Sequence, residues 1–382
     1  MKKSIYALIL IITFSITING DFITLGDNNP EESLIYPGKI LEGPDKNIYV
    51  YDSQDAFIKV FSPEGKLLRK LGGKGEGPGQ FKRADAADFG FTPDNKSIYF
   101  TEYFQGHKWI TFLGLTGKLK NTLKYNFGGF FGISRSTISY RDMIFLQKER
   151  PGRVIRKKEI YYVNYISEIN IMNSLGNITS TVLSREFPQT ISFIKIGGDT
   201  GIPFTPMFLW KVTQEGDVIF TDGTTDKLEV YSRDGKLKRR VVVPVGKPIQ
   251  VTKEDLDHWR NKKKEFYSTR DKSWYKRFGS VIDKYTNSIF KYKPSILNMS
   301  LTPAENILLT CISDREDISK YLLVDKNGKL LIEFFSPFSE IKITENYFIV
   351  RSINDDEETR IIIINREGAD ETALKKVKNL NL

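Results

Sequence analysis

A chain of 382 residues with 40% hydrophobic and 13% aromatic side chains buries a large core, which excludes a disordered tail or a disulfide-stapled miniprotein. Its net charge of +10 favours acidic partners, while two histidines and one cysteine exclude a three-histidine zinc centre and any internal disulfide. Phe (26) and Tyr (18) far outnumber Trp (4) and Met (5), a bias toward pleated sheet, where flat rings pack well.

At the start of the chain, Lys2 and Lys3 precede an apolar run from Ile5 to Ile18, followed by Asn19-Gly20-Asp21. A basic start, an apolar stretch too short to span a bilayer and a small residue before a polar one predict a secretory signal over 1–20. The mature chain, 21–382, is then expected to be exported, periplasmic or extracellular, with no transmembrane segment after cleavage. Nucleic acid is not expected among its partners, and no cysteine stands near the cut to carry a lipid anchor.

Beyond the leader, one phrase recurs six times: an apolar strand, a tight turn closing on Gly, and another apolar strand. It reads IKVFSPEGKLLRKL at 58–71, ITFLGLTGKLKNTL at 110–123, INIMNSLGNITSTVL at 169–183, LEVYSRDGKLKRRV at 228–241, YLLVDKNGKLLIEF at 321–334 and RIIIINREGADETAL at 360–374. The turn glycines Gly65, Gly117, Gly176, Gly235, Gly328 and Gly368 supply the positive φ that follows a type I turn. Upstream of each hairpin lies a further strand: 47–52, 97–102, 142–147, 217–222, 306–311 and 346–351. Still earlier comes a short segment such as 37–43, 84–90, 207–213 or 296–302. Each unit therefore holds four strands in meander order. Such sheets cannot bury both faces alone, so they stack around an axis. The expected fold class is all-β, a six-bladed β-propeller of four-stranded antiparallel blades. Blade three, rich in Tyr and Ile over 160–171, departs most from the pattern.

Closing the ring requires the last sheet to meet the first. FITL (22–25) is predicted to supply the outer strand of blade six, with ALKKVK (373–378) as the alternative. The loop GGKGEGPGQF (72–81) leads from one strand toward another, which makes it a connector between blades rather than a phosphate cradle.

The glycines are 52, 59, 59, 93 and 40 residues apart, and the long gap places a helical insertion, 252–292, between blades four and five. Thr252 and Asp255 form a capping box that opens one helix, and a second is predicted over 272–290 with Trp274, Phe278 and Ile282 on one face. From 253 to 293 there are twelve Lys/Arg against six Asp/Glu, and a second basic stretch, KERPGRVIRKKE, occupies 148–159. Aromatic side chains that seat the helices and lysines that face water account for much of this pattern. The functional reading is a basic, aromatic-rimmed lid over one end of the channel, with Trp259, Lys262, Lys263, Lys264 and Trp274 as ligand-binding residues.

Catalytic side chains are scarce. His107 and His258 are the only histidines, no G-x-S-x-G turn is present, and Cys311 alternates with apolar neighbours as a buried thiol does. No catalytic residue is assigned. Trp109 and Trp210 join Trp259 and Trp274 as candidate stacking platforms for a glycan, although tryptophan more often packs a core.

Two segments resemble a known repeat. IYVYDSQDAFIKVFSPEGKLLRKLGGKGEGPGQF (48–81) looks like an NHL repeat, and GDVIFTDGTTDKLEVYSRDGKLKRR (216–240) is similar. The whole resembles the exported six-bladed propeller proteins of bacteria. The repeat, the export signal and the scarcity of catalytic side chains lead to the expectation of a monomeric, non-catalytic scaffold or recognition module that binds an acidic protein, a glycan or another surface ligand without a cofactor. The resemblance also admits an alternative, a propeller lactonase or lyase using calcium, whose ligands would be Asp52, Glu102 and Asp222 at the ends of second strands. Carboxylates there equally well accept hydrogen bonds from turn amides.

Overall fold

The computed structural model describes residues 22–26, 32–81, 88–104, 107–126, 136–138, 143–157, 160–173, 175–193, 199–270, 273, 276, 290–313, 318–336, 338, 340–353 and 359–365. The leader, Gly368, the 373–378 segment and all but three residues of the predicted second helix, Trp274 included, lie outside them.

Six antiparallel sheets follow one another along the chain. Blade one is β2 (Pro37–Glu42), β3 (Ile48–Asp52), β4 (Phe57–Phe61) and β5 (Leu67–Gly72). Blade two is β6 (Asp88–Phe91), β7 (Ser97–Phe104), β8 (His107–Gly114) and β9 (Leu119–Asn126). Blade three holds β10 (Ser136–Ile138), β11 (Ile144–Lys157), β12 (Ile160–Met172) and β13 (Ile178–Phe193), with a fifth strand, β14 (Asp199–Gly201), paired to the end of β13. Blade four is β15 (Leu209–Val212), β16 (Val218–Thr221), β17 (Lys227–Tyr231) and β18 (Leu237–Val242). A single described helix, α1 (Lys253–Arg270), precedes blade five: β19 (Ile296–Leu301), β20 (Ile307–Cys311), β21 (Ser319–Val324) and β22 (Leu330–Ser336). Blade six is β23 (Glu340–Ile343), β24 (Tyr347–Ile353) and β25 (Thr359–Asn365), completed by β1 (Phe22–Leu25) from the far end of the chain.

The residues explain the order within each blade. Second strands are covered on both faces by neighbouring blades, so they read as near-continuous apolar runs: every residue of IYVYD in β3 and of ILLTC in β20 is buried. Fourth strands face water and carry charge, as LKRRVV in β18 does. Between third and fourth strands, the five described repeat glycines hold φ between +79° and +91°. Each donates its N–H to the carbonyl three residues earlier at 2.8–3.0 Å. The repeated sequence phrase is thus a repeated turn geometry.

Each gap between blades is filled by its own apolar cluster. Ile58, Val60 and Leu71 of blade one meet Phe89, Ile98 and Phe100 of blade two. Tyr99 and Ile110 meet Ile144, Leu146 and Met172 across the next gap. Phe145, Ile169 and Ile171 pack on Trp210, Val218 and Phe220, and Leu228 and Val230 on Met299 and Leu309. Leu308, Tyr321 and Leu323 face Ile341 and Ile343. The last cluster closes the ring: Leu25, Ile361 and Ile363 of blade six pack on Ile40, Ile48 and Val50 of blade one. Strand β1 runs antiparallel to β25, with Phe22 opposite Ile364 and Leu25 opposite Ile361, so FITL is the clasp.

The connector at 72–81 behaves as its strand-to-strand position predicts. Phe81 is fully buried and stacks on Phe100, with ring centroids 3.5 Å apart. Gly72 (φ +87°) makes room for it, since a Cβ there would sit 2.0 Å from the Phe81 ring.

Candidate ligand-binding site

Inner strands begin, and second strands end, at the same mouth of the central channel. A cavity of about 680 Å³ opens there, lined from every blade but the third among the described residues. Gly38 and Lys39 come from β2, Asp88 from β6, Lys211 from β15, Glu340 and Lys342 from β23, and Arg351 from β24.

Among the described residues that line the cavity, four cations, Lys39, Lys211, Lys342 and Arg351, meet two carboxylates, Asp88 and Glu340. Lys39 pairs with Asp88 across the gap between blades one and two at 2.8 Å. Glu340 receives both Lys342 at 3.2 Å and Arg351 at 3.3 Å. Lys342 also donates to the carbonyl of Ile40 at 3.2 Å, and Arg351 donates to that of Gly38, which ties blade six to blade one. Burial works to raise the Glu340 carboxyl, but Lys342, Arg351 and Lys211 outweigh it and hold it below the ordinary carboxylate range. Burial holds the Lys342 ammonium below its usual range; Glu340 opposes that, while Lys39 and Arg351 push the same way as burial. These ion-paired side chains stay partly in contact with water, between 17% and 29% exposed, and among the described lining residues the cations outnumber the carboxylates.

Topology places two further basic features on this face. Because second strands end here, the hairpin joining β11 to β12 projects from it. These strands run far beyond the length of their counterparts in other blades, to 14 and 13 residues. Arg150, Arg153 and Arg156 are exposed along this arm, with Arg150 paired to Glu168 at 3.0 Å and Arg156 over the Tyr161 ring. The insertion also leaves and re-enters here. A bridge between Gln250 and Tyr292 forms its neck, and Lys293 grips Asp255 at 2.6 Å. The capping box is real: Thr252 N–H donates to the Asp255 carboxylate at 2.9 Å, and Asp255 N–H donates to Thr252 Oγ1 at 3.2 Å.

The residues singled out from sequence fall in different places. Trp259 is half-buried on α1 with the Lys263 ammonium 5.8 Å from its ring centroid; Lys262 is exposed and Lys264 half-buried. None of these four lines the cavity. Asp52 is buried against Lys59 and accepts the N–H groups of Ile35, Tyr36 and Gln54. Asp222 accepts from the N–H and hydroxyl of Thr224, and Glu102 lies buried on β7 opposite Trp109. Among the described residues, no three His, Cys, Asp or Glu side chains are grouped to hold a metal ion. Cys311 is buried, its thiol pushed up to about 12 by burial. Trp210 is 7% exposed and donates its indole N–H to Gln147 at 2.9 Å, so most of it is core between blades three and four.

Sequence reasoning missed the channel cations. Lys39, Lys211 and Lys342 are single lysines in short apolar inner strands, and only the radial arrangement brings them together.

The fold is that of a six-bladed β-propeller. No family model matches the chain, and no curated protein matches it. Among solved structures it is similar to a member of the DUF4221 family from Bacteroides vulgatus, at 9% identity and a TM-score of 0.51, covering 90% of this chain and 96% of that one. It is also similar to a Bacteroides fragilis protein taken to be exported, at 12% identity and a TM-score of 0.48, covering 91% and 94%. A streptogramin B lyase aligns at 11% identity and a TM-score of 0.44, covering 89% and 86%. At 9% identity the likeness to the DUF4221 member carries the fold and nothing about chemistry. Among the described residues, no helix is long and apolar enough to cross a membrane.

Proposed function

We propose that the protein is an exported, non-catalytic binding module that recognises an acidic ligand at the mouth of its channel. The carrying observation is the convergence of Lys39, Lys211, Lys342 and Arg351 on one cavity, with Asp88 and Glu340 as the carboxylates among the described residues that line it. A partly enclosed mouth whose described cations outnumber its carboxylates lowers the energy of an entering anion. The exposed arginines of the blade-three arm and the α1 lysines Lys262, Lys263 and Lys264 stand around the same face. They gather an acidic ligand from a distance, with Trp259 as the aromatic part of the rim; Trp274, expected beside it, lies outside the described residues. The basic leader and following apolar run support export of this module.

Isothermal titration of citrate into the intact protein tests the reading, with glycerol as the uncharged control. Citrate is expected to bind, to weaken as salt rises, and to lose affinity in Arg351→Gln. Equal indifference to citrate and glycerol at low salt would end the proposal.

A second reading, the calcium-dependent lactonase or lyase, keeps Asp52, Glu102 and Asp222 as its ligands. It is weaker because two of these carboxylates already serve local hydrogen bonds. Melting with and without EDTA separates the two readings. A melt lowered by chelation would promote the enzyme.

A further inference from the structure

The channel mouth has two unlike walls, and this bears on what the proposed anion is attached to. Around the ring, blades six, one and two form one arc, and they supply Lys342, Arg351, Lys39, Asp88 and Glu340. Blades four and five form the facing arc. They present the half-buried apolar side chains Met207, Phe208 and Leu297, backed by the buried Leu209 and Met299, together with the uncharged polar Asn298, Ser300, Thr310 and Ser319. Among the described lining residues of that arc Lys211 is the one ionised group, and its charge acts on Glu340. Blade one faces blade four across a six-fold axis, so Lys39 stands opposite the Met207–Phe208 segment.

Resting on the anion-binding reading above, we infer that the ligand is an amphipathic anion. Its carboxylate or phosphate head lies against the arc of Lys39, Lys342 and Arg351, and its apolar body lies against Met207, Phe208 and Leu297. A purely polar anion would leave those apolar side chains facing it without gain, whereas an alkyl or aryl tail removes them from water. The cavity, about 680 Å³, is of the size that takes a small molecule rather than a bare ion. A tail also provides selectivity that charge alone lacks, since every small anion feels the same field.

Isothermal titration of the full chain with acetate, octanoate, octyl phosphate and 1-octanol tests this. Octanoate or octyl phosphate is expected to bind about tenfold or more tighter than acetate, with 1-octanol binding undetectably. A preference between the two octyl anions names the head, and either preference upholds the inference. Leu297→Asp is expected to erase the gain with chain length, and Arg351→Gln to weaken every anion. Both variants are first shown to melt cooperatively; if Leu297→Asp does not, Leu297→Ser takes its place. Acetate and octanoate binding equally, or a chain-length gain that survives in the Leu297 variant, would overturn the amphipathic ligand while leaving the anion site standing. Failure of citrate and all four probes would remove both.

Discussion

Lys59 and Asp52 form an ion pair 2.9 Å long with side-chain exposures of only 2% and 0%. Lys59 also reaches Asp55 at 2.9 Å and the carbonyl of Ser33 at 2.6 Å, and Asp52 accepts the amides of Ile35 and Tyr36. The pair thus fastens the segment that leads from the clasp strand into blade one. Asp52→Asn removes one half of the buried pair but leaves Lys59 with Asp55 and the Ser33 carbonyl, so it is expected to cost about 1–3 kcal/mol in urea denaturation. The paired change Asp52→Leu with Lys59→Met is expected to recover part of that loss. A single variant as stable as the parent would show that the pair holds nothing.

The same carboxylate sets a pH dependence. Burial works to raise the Asp52 carboxyl, but Lys59 and three backbone amides hold it below its ordinary range. A depressed folded-state pKa contributes stability that is complete above the unfolded value of about 3.9 and is lost as pH falls through the folded value. The stability difference between parent and Asp52→Asn should therefore be constant near neutrality and shrink below about pH 4. A difference that grew on acidification would have the wrong sign for this account.

The outer strand that completes blade six is four residues long. Deleting residues 21–27 removes β1 and with it Leu25, which is 2% exposed between blades six and one. The melting temperature should fall by many degrees. Leu25→Ala alone should cost about 2–5 kcal/mol, the range for truncating a buried leucine. An unchanged melt after the deletion would dismiss the clasp.

Cys311 gives a probe that needs no partner. Its thiol, pushed up to about 12 by burial, should ignore a disulfide reagent at about pH 8 while the protein is folded and react fully once it is unfolded. Rapid labelling of the native chain would contradict the packing of β20.

Much of this architecture is legible in the residues. The five described hairpins, the positive-φ glycines at their turns, the FITL clasp and the place of the insertion each follow from local pattern, because turn chemistry and strand alternation are local properties; the sixth hairpin's turn, at Gly368, lies outside the described residues. Blade three was harder. β11 runs through Pro151 and Gly152, residues that ordinarily end a strand, and the register shifts between Pro151 and Val154 to absorb them. The site was nearly invisible for a different reason. Arg351 and Gly38 are 313 positions apart and meet only because the ring closes. Attention to dense lysine runs picked out α1, where Lys262–Lys264 stand clear of the cavity, whereas single lysines on inner strands carry the channel charge.

The most direct test separates the channel from its rim. Stopped-flow fluorescence, following citrate against the channel variant Lys39→Gln/Arg351→Gln and the rim variant with Lys262, Lys263 and Lys264 changed to Glu, reads association and dissociation separately. The account predicts that the channel change speeds dissociation by about tenfold or more, while the rim change mainly slows association, and most at low salt. Dissociation unaltered by the channel change but hastened by the rim change would place the ligand on the helix and contradict the account.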